Sequence, residues 1–488
     1  METNKPKTYY CHANTQISKF LRNFSFLSHW QIKSLLTLFL TFISGITVFI
    51  LNGLSIQGRL TIFVFLLSVV LWSTTAINAS YIALVSVLVL LLTGGVSQAQ
   101  FFESLGSDVV WLMIGAFVLG SAVKQTGLAT RLTQVVAAKA KNISSLFWLL
   151  TTVLIPLSFL IPSTSGRAAV TYPIFRSVAY AIEDQRTRRA LALLMPSIIL
   201  VSTIASLTGA GSHLVAKDLL VEISGKDISF SQWLLYGLPF GVVASYASCW
   251  VIMRLFLDKR RCQQKLDVKH LQSAPLSLPE RKTLLIVLLM LLLWLTEQWH
   301  GLEIATVTIL GAIILTAPNI GVMKWKNAVK DVSWDLIIFV GATLVLGKAL
   351  ISSGASEWII NNIFRFSDIN STKSHFFILL LLTVISLTSH IYMTSHTARA
   401  AALVPPLLYL ASSLNLNPVT VLFLSTLGMD YCLTFPVSSK ALMVYQDTQE
   451  DGFQPTDLLR LSSVMILVHL ALVILFYYTW WRWVGLSF

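Results

Sequence analysis

The sequence predicts an all-α polytopic membrane protein: about eleven transmembrane helices plus two re-entrant hairpins, arranged as two inverted-topology repeats. Three observations predict it. Of the 488 residues, 55% are hydrophobic and only 12% charged, where a soluble domain would carry about a quarter. Apolar runs near the ~20 residues needed to cross a bilayer recur along almost the whole chain. Finally, Ser163-Thr164-Ser165-Gly166-Arg167-Ala168-Ala169 and Ser395-His396-Thr397-Ala398-Arg399-Ala400-Ala401 are versions of each other, each followed at the same interval by a proline, Pro173 or Pro405.

The net charge of +13 does not point to nucleic acid. Its Lys and Arg residues sit in short clusters between apolar runs, as the positive-inside pattern requires. Of the four cysteines, Cys11 lies in the N-terminal tail, Cys262 in a basic loop, and Cys249 and Cys432 in or beside apolar segments. That distribution gives neither a disulfide framework nor a zinc site.

In chain order, residues 1–33 are polar and basic and form an N-terminal tail placed on the cytoplasmic side of a cell inner membrane. The first half, 34–256, holds spans near Ser34–Asn52, Leu60–Thr75, Tyr81–Thr93 and Asp108–Lys124. A re-entrant hairpin follows at about 143–180, broken at Pro156, Pro162, Gly166 and Pro173 and flanked on both sides by basic residues. Irregular backbone at membrane depth is tolerated only inside protein or beside a cavity. Then come a span at Ala190–Lys217, interrupted by Pro196 and Gly209–Gly211, and one at Trp233–Phe256. Residues 257–282 are a strongly basic cytoplasmic linker.

The second half, 283–488, repeats the order. Its spans lie near Thr283–Trp299, Ile304–Pro318 and Trp334–Ile351, followed by a hairpin at about 376–410, an interrupted span at Pro418–Tyr445 and a last span at Leu461–Trp483. The cluster Tyr477, Tyr478, Trp480, Trp481 and Trp483 is read as an interfacial belt. Counting from an inside N-terminus places the second hairpin outside and inverts the halves. The one discordant segment is Asp447–Arg460, acidic where the count puts it inside.

An arginine at membrane depth costs about 2.5–3.5 kcal/mol on insertion scales unless it finds a partner or a wet cavity. Hydroxyl residues at the start of a helix offer oxygens and free N–H groups to an anion. The two tips therefore read as halves of one anion site. The plainer reading is that small residues let helices pack closely. Inverted repeats with paired broken helices are the architecture of secondary transporters.

With these tips the chain resembles the divalent anion/sodium symporter family, carriers of dicarboxylates, citrate and sulfate. The family's paired Ser-Asn-Thr tips are matched here by Ser163-Thr164-Ser165 and Ser395-His396-Thr397. Ser206-Leu207-Thr208-Gly209-Ala210-Gly211, with Gln232-Trp233 and Gly237-Leu238-Pro239, is similar to the segment after the first hairpin. The resemblance implies a secondary active transporter of small divalent anions working by an elevator-type cycle, without covalent chemistry, as a homodimer in the lipid bilayer. It implies substrate contacts from Ser163, Thr164, Ser165 and Thr208 in one half and Ser395, His396, Thr397 and Thr434 in the other. It implies no cofactor beyond coupling sodium ions, near Ser163 and Thr397.

The departures bear on coupling. Where the family has asparagine in the tips, this chain has Thr164 and His396. Where the family has Pro-Asn in the interrupted helices, it has Ser212-His213 and Ser439-Lys440. An imidazole or ammonium is no sodium ligand, so His213, His396 and Lys440 are read as charge-substituting or coupling groups. Sodium symport, anion exchange and proton coupling stay open. Arg167 and Arg399 either attract carboxylates or cap carbonyls and pin the hairpins. His213 and Lys440 are functional or snorkel, Lys124 and Lys348 are read as snorkelling, Thr208 and Thr434 are contacts or structural, and His390 is a packing residue. Two other readings are carried: an oxyanion permease for sulfate or arsenite, and an intramembrane enzyme. The enzyme lacks support, because there is no HExxH helix and no acid to orient a Ser163–His396 pair.

Overall fold

Serine caps and proline breaks set where these helices begin and stop. In the computed structural model, which describes residues 29–50, 52–266, 275–364, 375–446 and 451–488, the tail 1–28 with Cys11, linker residues 267–274 and residues 447–450 lie outside the described residues. The described residues form helices without a single named strand. Eight helices are long and apolar enough to cross a membrane, and four shorter apolar ones accompany them. Two of the eight, Ile143–Leu160 and His375–Tyr392, are hairpin arms rather than spans. The eleven expected spans thus comprise six long helices, four short ones and Leu278–Leu295, whose start carries Glu280, Arg281 and Lys282.

After the first helix, His29–Ile50, the same order of elements occurs twice. Ile56–Thr74, Ala79–Leu92, Asp108–Thr126, the first hairpin, Gln185–Ser224 and Phe230–Phe256 correspond to Leu278–Leu295, Ile304–Thr316, Trp334–Ser352, the second hairpin, Pro418–Tyr445 and Pro455–Phe476.

The first hairpin begins with a capping box at Asn142 and Ser145. It loses its helical register at Pro156, crosses through Ile161–Ser163 and returns as Thr164–Tyr180. Ser163 Oγ accepts the Gly166 N–H at 3.2 Å. The second hairpin runs His375–Tyr392 and His396–Ser413, with Ser395 Oγ accepting the Ala398 N–H at 3.3 Å. Gly166, Pro173 and Pro405-Pro406 do not break their helices, and neither does Pro196. A proline removes one helical hydrogen bond, which a helix walled in by protein tolerates.

The break in Gln185–Ser224 falls instead at Ser202–Ala210, two tight 3₁₀ turns. It is fixed by close approach: a Cβ on Gly209 would lie 2.5 Å from the Thr203 carbonyl oxygen, and one on Gly237 would strike the Ile204 carbonyl. The Trp233 indole donates to that Ile204 oxygen at 3.0 Å. The second break runs from Gly428 to Ser439, with one 3₁₀ turn at Pro436–Ser438.

Contacts at the helix ends explain two departures from expectation. Asp451, in the acidic segment, sits 2.9 Å from Arg188 and 3.6 Å from Arg176, so the acid neutralises bases gathered on its own side. Nearby Asp184 caps the Gln185 helix. Burial pushes its carboxyl up, but bonds from Thr187 and Arg261 outweigh that and hold it below the usual range. The aromatic cluster is only partly a belt. Trp481 is fully buried and donates to the Tyr236 carbonyl at 3.0 Å, and Tyr477 is buried with it, whereas Trp483 and Tyr478 are exposed.

Candidate functional site

Both tips open onto one cavity of about 610 Å³, within the range of small-molecule sites. One wall comes from Trp72 to Ala79, Phe117, Ser333, Asp335 and Leu336. Facing it are Ser163, Thr164 and Ser165 of the first tip and Ser395, His396 and Thr397 of the second. Ser212, Asp430, Ser439 and Lys440, from the two broken segments, complete that face. Of the residues the sequence singles out, these six tip residues and Lys440 are brought together.

Helix starts dominate the lining. Asn78, Ser163, Ala210, Ser333 and Ser395 are the residues that precede five helices of 14, 17, 14, 19 and 18 residues, and every one of them lines the cavity. A helix start leaves four N–H groups without intrahelical partners and carries a partial positive charge. The tip serines each satisfy one such group, which leaves the N–H groups of Thr164, Ser165, His396 and Thr397 at the cavity edge. Five convergent positive ends suit an anion.

Arg167 and Arg399 lie behind the tips, not in the cavity, and both are fully buried. Arg167 donates to the Gly209 carbonyl at 3.0 Å and to Thr203 Oγ1 at 2.8 Å. Arg399 donates to the Met429 carbonyl, to Thr394 O at 3.4 Å and to Cys432 Sγ at 3.0 Å. Each arginine ties a tip helix to the broken backbone of its own half. The carboxylate-attracting reading is corrected: unwound segments expose carbonyls that need donors, and the guanidinium supplies them.

Thr208 and Thr434 also stand away from the lining. Thr208 is buried, 3.0 Å from Ser206 Oγ. Thr434 lies 2.6 Å from His390 Nε2 and 2.7 Å from Ser462 Oγ, which accounts for His390 as a packing residue. Lys348 does not snorkel but pairs with Glu222 at 3.0 Å. Lys124 lines a smaller cavity of about 330 Å³ together with Ser163, Ser165 and Asp331, which accepts from Ser121 at 2.5 Å.

His213 is sealed from the cavity and stacked near Trp233. Its Nδ1 is 3.1 Å from the Ser206 carbonyl oxygen and its Nε2 is 2.8 Å from Asp430 Oδ2. His396 Nδ1 donates to Asp430 Oδ1 at 2.6 Å. The Ser212 hydroxyl lies 3.3 Å from both carboxylate oxygens. Asp430 is thus the hub of a buried network joining both halves, and sequence reasoning missed it. The signal was available, since a lone acid between Leu427 and Leu433 is an intramembrane ionisable residue. Asp430 is also the orienting acid that the enzyme reading lacked. His396 nevertheless turns its Nε2 to Cys432 Sγ, 3.8 Å away, rather than to Ser163.

Three backbone carbonyls of the two breaks are engaged by side chains: Ser206 by His213, Gly209 by Arg167 and Met429 by Arg399.

The family model described as sodium:sulfate symporter transmembrane region matches residues 29–487. A membrane protein of Cupriavidus necator is 26% identical over 466 residues, covering 89% of each chain. The sodium-dependent dicarboxylate transporter SdcS of Staphylococcus saprophyticus is 23% identical over 82% of each chain. The citrate/succinate antiporter of Escherichia coli is 22% identical over 76% of this chain and 77% of its own. Among solved structures, the YdaH transporter of Alcanivorax borkumensis superposes with a TM-score of 0.57 at 13% identity, over 89% of this chain and all of that one. At that identity the likeness speaks for the fold alone.

Proposed function

This chain belongs to the sodium:sulfate symporter family, and from that premise we propose that it is a secondary active transporter of small divalent anions, dicarboxylates or tricarboxylates foremost. It is a transporter and not an enzyme. One observation carries the substrate class: five helix starts and both hydroxyl-bearing tips converge on a single cavity. A volume of about 610 Å³ suits a di- or tricarboxylic acid better than a bare sulfate ion. Curated relatives named for dicarboxylate and for citrate and succinate support the same class.

The bonding supports an elevator-type cycle. The tip helices, the broken segments and Phe230–Phe256 are knit together by Arg167, Arg399, Trp233 and the His213–Asp430–His396 network. Tyr445 adds a link, its hydroxyl 2.8 Å from Thr171 Oγ1. Across the cavity, Ser80 donates to Asp335 and holds the opposite wall. The anion lies along the seam, so sliding the knit body past that wall transfers it without dismantling the site.

The test is counterflow in proteoliposomes loaded with unlabelled succinate, malate, citrate or sulfate, with the labelled counterpart outside. Labelled carboxylate accumulates in the unmodified protein, equally with sodium or choline as the external cation. Ser163→Ala and Ser395→Ala each lower apparent affinity by about 10- to 100-fold, the loss of a hydrogen bond to a charged group. Counterflow of sulfate alone would sink the carboxylate reading. A requirement for sodium would sink the account of the cationic side chains.

A further inference from the structure

The His213–Asp430–His396 network contains one member that can change charge without orphaning a partner. His213 is sealed: its side chain is 0% exposed, and its ring nitrogens lie beside the Ser206 carbonyl at 3.1 Å and the Asp430 carboxylate at 2.8 Å.

His396 differs in both respects. Its side chain is 19% exposed and lines the cavity. Nδ1 is committed to Asp430 at 2.6 Å, but Nε2 faces only the Cys432 thiol at 3.8 Å. A thiol is both a weak donor and a weak acceptor, so Nε2 is accommodated with or without its proton. We propose that His396 is the proton-carrying group of this transporter, taking up one proton on Nε2 when the dianion binds and releasing it where the anion leaves. The inference rests on the carboxylate-transport reading above.

The charges around the site give the reason. With His396 neutral, a dianion entering beside Asp430 meets a carboxylate. The proton places a positive charge between the two. Of the other groups facing the network, Arg399 and Arg167 are held on carbonyls behind the tips. Cys432 lies between Arg399 and His396. Lys440 and Asp335 share the cavity, the latter held by Ser80, and His390 stands beyond, on Thr434. The balance is simple: one N–H bond forms at His396 with a proton from the side to which the cavity opens, and breaks on the other side.

The experiment measures succinate affinity of the purified full-length protein by calorimetry from pH 6.5 to 9.5, where succinate is already a dianion, in two buffers of different ionisation enthalpy. Affinity falls about tenfold per pH unit once free His396 is neutral, with about one proton taken up per succinate. His396→Asn binds weakly and without that slope. His396→Lys, a fixed charge, loses both slope and uptake. In proteoliposomes, inward succinate acidifies the lumen with the unmodified protein and not with His396→Lys. Succinate bound at an affinity flat across this range, with no proton uptake, would overturn the proposal and leave the transport reading standing. No binding of succinate, malate or citrate at any pH would overturn both.

Discussion

The two arginines show how a residue's place in a fold can reverse its apparent role. Each follows a polar tip and is positively charged, so each looks like a carboxylate clamp. Each is instead spent on carbonyls that broken helices leave exposed, Gly209 for Arg167 and Met429 for Arg399. Removing either leaves buried carbonyls without donors, at about 1–3 kcal/mol per group. We therefore expect Arg167→Ala and Arg399→Ala to lower the thermal midpoint in detergent and the yield of folded protein. The fraction that folds should bind succinate within about threefold of the unmodified protein, well short of the ~10-fold loss of a lost contact to the anion. A normal midpoint with binding abolished would restore the clamp.

At the scale of elements, what matters is where a helix stops. Pro173, Pro196, Pro405 and Pro406 are carried inside helices, while the functional breaks fall at Ser202–Ala210 and Gly428–Ser439. Backbone crowding marks these breaks better than proline does. A Cβ on Gly209 would meet the Thr203 oxygen at 2.5 Å, and one on Gly428 would meet the Leu387 nitrogen at 2.5 Å. Neither neighbour is a flexible side chain. Gly209→Ala and Gly428→Ala should each destabilise the protein by about 1–3 kcal/mol, the usual cost of overpacking. Because Gly209 also accepts from Arg167, its variant should slow transport as well, measured as initial counterflow rate against the thermal midpoint of the same preparation.

For the molecule as a whole, the cavity lies between the tips with the broken segments on one side and Thr75–Ala79 with Ser333–Leu336 on the other. Its lining includes Thr75–Ala79, the connection between Ile56–Thr74 and Ala79–Leu92. Counting spans from an inside N-terminus puts this connection on the cytoplasmic side. Lys440 is exposed and lines the cavity. A single cysteine placed there by Lys440→Cys, with the native cysteines removed, should react with a membrane-impermeant maleimide in inside-out vesicles. Succinate should protect it. Reaction in right-side-out vesicles alone would overturn the assignment of sides.

The sequence by itself determined the class of this protein. Hydropathy forces helices in a bilayer, and two copies of a hydroxyl-Arg-Ala-Ala tip announce paired hairpins, because composition and repetition are visible without coordinates. The six tip residues stood out for the same reason and Lys440 through the family resemblance, and all seven line the cavity. Only the tertiary structure decided which charges face the anion and which serve the scaffold. Asp430 is 217 positions from His213 and 34 from His396, and no spacing rule links residues brought together by the meeting of two broken helices. Unwound backbone must find donors from whatever side chains fold over it, and that competition moved the arginines out of the site and drew a carboxylate in.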